Sequence, residues 1–123
     1  MLDIVKSLKP KAMTKIVTAA VLVEMIKTRG PIVVIGHACR AIYQRQTMEE
    51  QNSLFTKNRN GVGFTAFDAK VGSLTAIHYI KYGSLLPWHV EYWSKIMPNG
   101  YPRITRYAKQ LNEVAILKAA KHG

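Results

Sequence analysis

The chain has 123 residues, of which 48% are hydrophobic, a composition that excludes a disordered chain and leaves little room for two independent cores. Cys39 is the only cysteine, which excludes an intramolecular disulfide and suits a reducing, cytoplasmic setting. Eighteen Lys and Arg against seven Asp and Glu give a formal charge of +11; such an imbalance repels itself and points to a polyanionic partner, above all a phosphate backbone. The longest apolar stretch, 16–23, ends at Glu24 and falls short of the roughly 20 residues a membrane span needs, so neither a targeting segment nor a membrane partner is expected.

In chain order, residues 1–10 read as a short N-terminal arm closed by Pro10. Over 11–29, Met13, Ile16, Val17, Ala20 and Val23 recur at helical spacing. Ala19, Val21, Leu22 and Ile26 widen that face almost to a full circle, which predicts a helix central to the core. Gly30-Pro31 ends it. The β-branched run Ile32-Val33-Val34-Ile35 suits a strand, but no second strand offers itself, and Pro31 is acceptable in a first helical turn. A buried helix over 31–46 is therefore predicted, with Gly36 allowing close packing. Thr47-Met48-Glu49-Glu50 has the form of a capping box and predicts a separate short helix to Phe55.

The stretch 57–64 is the least helical part of the chain. Thr65-Ala66-Phe67-Asp68 reads as a helix start, with the helix running to Tyr82 and stopping at Gly83. Pro87 opens a helix to Met97, 98–102 is a turn, and a last helix covers 103–121. The fold expected is a single all-α domain over 1–123, a compact bundle of five to six helices with a Gly/Asn-rich basic loop.

Two features lie in the more basic half, 57–123, which holds ten basic and three acidic residues. The first is the loop. Lys57 and Arg59 bring charge, Asn58 and Asn60 bring amides, and Gly61 and Gly63 let backbone N–H groups approach a ligand. It feeds a helix N-terminus, an arrangement suited to anions, and Phe64 can stack on an unpaired base or tuck into the core. The second is the last helix. Ile104, Tyr107, Ala108, Leu111, Val114 and Ala115 form one stripe; Arg106 and Lys109 fall away from it, and Arg103 and Lys121 lie on its edge. The nucleic-acid contacts predicted are thus Lys57, Asn58, Arg59, Asn60, Gly61, Gly63, Arg103, Arg106 and Lys109. Trp88, Tyr92 and Trp93 can form a stacking platform, although aromatic residues so placed more often fill a core.

Asn60-Gly61-Val62-Gly63-Phe64, then Asp68-Ala69, then Arg106-Tyr107-Ala108-Lys109-Gln110-Leu111 together resemble a small module of phage and mobile-element proteins. Its pattern is Asn-Gly-x-Gly-Phe, Asp-Ala and Lys-Tyr-x-x-Gln-Leu, and it is sometimes attached to helicase-like proteins. Arg106 stands where the module tends to have Lys. The resemblance spans roughly 56–111 and implies work near DNA in a bacterial host cell; it carries over no catalytic residues.

No ligand spacing joins His37 and Cys39, or His78, His89 and His122, and no phosphate-loop or dinucleotide glycine pattern occurs. Seven acids, two of them explained by helix starts, offer little for a metal-dependent nuclease. A Cys39–His pair can form only in space. The expectation is a non-enzymatic phage-type accessory protein, without cofactor or metal, that binds DNA or RNA mainly through the phosphate backbone. The alternative is a phage-encoded inhibitor docking on a host protein or an RNA-guided defence complex. A third reading is a structural subunit that self-associates through apolar surface.

Overall fold

The computed structural model of the protein describes residues 16–52 and 62–122; for 49–52 and for 121 and 122 it describes the backbone alone. The predicted arm 1–10, the start of the first helix and loop residues 57–61 lie outside the described residues. Among those described, the fold is all-α: α1 (Ala19–Arg29), α2 (Pro31–Asn52), α3 (Ala69–Tyr82), α4 (Pro87–Ser94), a 3-10 turn (Arg103–Tyr107) and α5 (Ala108–His122). The extended residues are held by one isolated bridge, Ile96 to Pro102. No helix there is long and apolar enough to cross a membrane.

The helix starts and stops follow local chemistry. Thr18 caps α1, its Oγ1 accepting the Val21 N–H at 3.1 Å. Lys27 and Arg29 occupy the last turn, where the helix dipole favours cations. Gly30, at φ 96°, sends its N–H to Ile26 and turns the chain straight into α2 at Pro31. Gly83 ends α3 in the left-handed conformation, and Pro87 opens α4.

Two predicted bounds shift, since α3 begins at Ala69 and not at Thr65 and α4 ends at Ser94 and not at Met97, and three further predictions need correction. The central element is α2, which packs on α1, α3, α4 and α5. In α1 only Leu22 is buried, and the chain before it, 16–18, is not helical; the Val17 N–H is instead held by Asn112 Oδ1 at 2.8 Å. The separate helix after Thr47 does not exist, because α2 runs unbroken through it and Thr47 Oγ1 donates back to the Gln44 carbonyl. The last helix begins at Ala108, because 103–107 winds more tightly as the 3-10 turn.

The core gathers Ile35, Cys39 and Ile42 of α2, Ala76 of α3, Trp93 of α4, and Ile104 and Tyr107 of the 3-10 turn. Trp93 is fully buried and its indole N–H donates to Thr75 at 3.0 Å, so its polar edge is satisfied. Two glycines permit close crossings. A Cβ at Gly36 would strike the Tyr79 ring, and one at Gly72 would strike the Phe64 ring. The predicted close approach at Gly36 is thus a contact with α3.

Candidate functional site

The described residues of the motif converge in space. Gln110 clasps Gly63 with both ends of its amide: the Gly63 N–H donates to Oε1 at 2.8 Å, and Nε2 donates to the Gly63 carbonyl at 2.9 Å. Gly63 adopts φ 93°, a conformation natural to glycine. The next two amides are also taken. Phe64 N–H donates to Gln46 Oε1 and Thr65 N–H to the Tyr107 hydroxyl. In the loop that leads to α3, the N–H groups of 63, 64 and 65 are therefore engaged by the protein's own side chains; α3 itself begins only at Ala69. Phe64 is buried, with its ring edge-to-face on Tyr107 at 5.5 Å; it is a core residue and does not offer a stacking surface.

Asp68 organises the junction. It occupies the cap position before α3 yet makes no cap bond. Fully buried, its carboxylate accepts four hydrogen bonds instead. Oδ1 takes the Tyr92 hydroxyl at 2.7 Å, Arg103 Nε at 2.9 Å and Arg103 Nη2 at 2.7 Å, and Oδ2 takes the Tyr107 hydroxyl at 2.6 Å. Burial by itself would raise the Asp68 pKa, but the bonds from Tyr107, Tyr92 and Arg103 and the charge of Arg103 outweigh it and hold the group below its ordinary value. Burial, with the bond to Asp68, pushes the Tyr107 phenol up to about 12. Arg103 also lies over the Phe67 and Tyr92 rings, at 5.1 and 4.8 Å.

Arg103 is accordingly not a surface contact: its side chain is 9% exposed and committed to Asp68. α-Helical spacing placed it on the edge of the stripe, away from Arg106. In a 3-10 turn residues three apart eclipse, so Arg103 and Arg106 share a side and both reach Asp68, Arg106 at 3.6 Å. Arg106 keeps 42% of its side chain in solvent, and Lys109 is exposed on α5. Lys57, Asn58, Arg59, Asn60 and Gly61 lie outside the described residues.

Of the aromatic trio, Trp93 is core, Tyr92 belongs to the Asp68 cluster and Trp88 is half exposed. Cys39 is buried; desolvation first, and Asp68 second, push its pKa far up, so it is a thiol at neutral pH and not a ready nucleophile. Among the described residues no three His, Cys, Asp or Glu side chains gather as a metal site.

Ion pairs spend few of the cations. Among the described residues Arg45 pairs with Glu113, and Arg103 and Arg106 with Asp68. Lys27, Arg29, Lys70, Lys95, Lys109 and Lys118 are exposed and take part in none of these pairs. They come from α1, α3, the end of α4 and α5. No family model matches the chain, and neither the curated proteins nor the solved structures offered a significant match.

Proposed function

We propose that this protein binds nucleic acid, mainly through the phosphate backbone, as an accessory protein of the phage type that its motif resembles. The observation that carries the reading is the surplus of exposed cations that, among the described residues, have no carboxylate partner. Such a surface is relieved of self-repulsion when a polyanion displaces its counterions. With Arg103 and Gly63 held internally, the contacts proposed on the described surface are Arg106 and Lys109; Lys57 and Arg59 remain part of the proposal from sequence. Engagement of the loop amides at 63–65 favours contact through side-chain charge over a phosphate pocket built from that loop.

The test is an anisotropy titration with single- and double-stranded oligonucleotides at two salt concentrations. Wild type should bind, and bind more weakly in higher salt. The double variant Arg106→Gln, Lys109→Glu should weaken binding; glutamine is chosen at 106 because a carboxylate there would face Asp68. Equal binding by variant and wild type in dilute buffer would rule out this face.

One observation favours a second reading, docking on a host protein such as an RNA-guided defence complex. It is an apolar groove, cationic at one end, between α1, α2 and α5. Nuclease treatment separates the readings, since only a protein partner survives it.

A further inference from the structure

The groove encloses about 770 Å³. Its floor is apolar, from Leu22 and Met25 of α1, Ala38 and Ala41 of α2, and Leu111 and Val114 of α5. On α2 the lining runs from Val34 to Met48, about 20 Å at 1.5 Å per residue, or roughly four helical turns.

The polar lining is unevenly placed. At one end Arg29, His37, Arg40 and Lys118 come together from three different helices. Arg40 Nη2 lies 2.7 Å from His37 Nδ1, and burial together with the fields of Arg40, Lys118 and Arg29 lowers the His37 pKa. Among the described residues no carboxylate lines that end. At the other end Arg45 is neutralised by Glu113 at 2.8 Å. Bringing three cations together without a counter-charge costs free energy, which an anionic occupant would recover.

We propose that this groove is the docking site for an acidic amphipathic helix of a partner protein. Its apolar face would lie on the floor, and its carboxylates at one end would meet Arg29, Arg40 and Lys118, the helix-in-groove mode of recognition. The proposal deepens the protein-docking reading and rests on it only in requiring a protein partner. Charge complementarity selects this occupant over the chain's own first fifteen residues, which carry Lys6, Lys9, Lys11 and Lys15 against Asp3 alone. Lys109 is two positions before Leu111, about 160° around α5 from the groove side, so the docking surface and the proposed phosphate contacts fall on different faces.

The experiment uses the full chain and two labelled helical peptides of about four turns. Both carry leucines at i, i+3, i+4 and i+7; one has glutamates beside them, the other lysines. Wild type is expected to bind the acidic peptide at least about tenfold more tightly than the basic one. The variant Arg40→Glu, Lys118→Glu should reverse that preference, a charge swap that loss of folding cannot imitate. Four results would overturn the proposal: wild type binds neither peptide; it binds both equally; the variant keeps the wild-type preference; or stoichiometric oligonucleotide displaces the acidic peptide. If a host protein survives nuclease treatment and is held equally by the variant, the groove is wrong while the docking reading stands.

Discussion

Asp68 shows how much one buried carboxylate can hold. Its partners lie 24, 35 and 39 residues along the chain, on α4 and the 3-10 turn. Replacing it by asparagine leaves Arg103 almost without solvent and without a counter-charge. Asp68→Asn should therefore lower the unfolding free energy by about 3–5 kcal/mol, read by urea titration. Tyr92→Phe, which removes one of the donors to Oδ1, should cost only about 1–2 kcal/mol in the same assay. A similar decrease from both variants would mean that the ion pair with Arg103 contributes little. His89 gives a pH signature. Its Nδ1 accepts the Leu86 N–H at 3.0 Å, its ring lies 5.1 Å from that of His78, and burial first, then His78, lowers its pKa. A histidine whose folded pKa is depressed contributes stability above its unfolded value, and that stability is lost as pH falls. Stability should thus begin to drop as pH falls toward the ordinary histidine value of about 6.5 and keep dropping below it, down through the depressed folded value. His37 shifts in the same direction, so His89→Asn, which offers an oxygen where Nδ1 stood, should shrink the drop and not abolish it. Sequence read Thr65 as the cap and Asp68 as an acid of the first turn, whereas α3 begins after Asp68, at Ala69; the role of Asp68 was missed because a helix start is a local relation and its actual partners are distant.

At the scale of the element, turn chemistry was legible and helix orientation was not. Gly30-Pro31, Gly83 and Pro87 mark boundaries that the structure keeps, since each restricts φ or removes a donor whatever surrounds it. The β-branched run 32–35 is helical; Val34 and Ile35 are buried on the core side while Ile32 and Val33 are 38% and 40% exposed. Packing of an amphipathic face outweighed intrinsic preference. Gly36 tests that packing. Alanine is the better helix former by about 1 kcal/mol, yet its methyl would strike the Tyr79 ring. Gly36→Ala is expected to lower stability by about 1–3 kcal/mol, the cost of overpacking, read as a lower melting temperature by circular dichroism. A rise would show that α2 and α3 can separate at no cost. The tight winding of 103–107 carried the largest consequence, since it set Arg103 and Arg106 on one side, both within reach of Asp68, with Arg103 buried and Arg106 at the solvent edge.

At the scale of the whole molecule, charge sets the expectation and its measurement. Each cation withdrawn from a phosphate lowers the slope of log K against log salt by about 0.9 for duplex and about 0.7 for single strands. If Arg106 and Lys109 both touch phosphates, their double variant should flatten the slope by roughly 1.4–1.8, with little change in preference among sequences. Weaker binding at an unchanged slope would point to a structural effect. The sequence by itself determined the all-α class, the main helix breaks and the cationic surplus, because composition, φ restriction and charge are properties of residues and their immediate neighbours. Only the tertiary structure decided that α2 is the central helix, that the loop amides at 63–65 are already engaged, that Arg103 is buried on Asp68, and that cations from three helices meet at the end of one groove. Those outcomes depend on side chains brought together from distant parts of the chain, where burial and pairing, not spacing, set what each group can do.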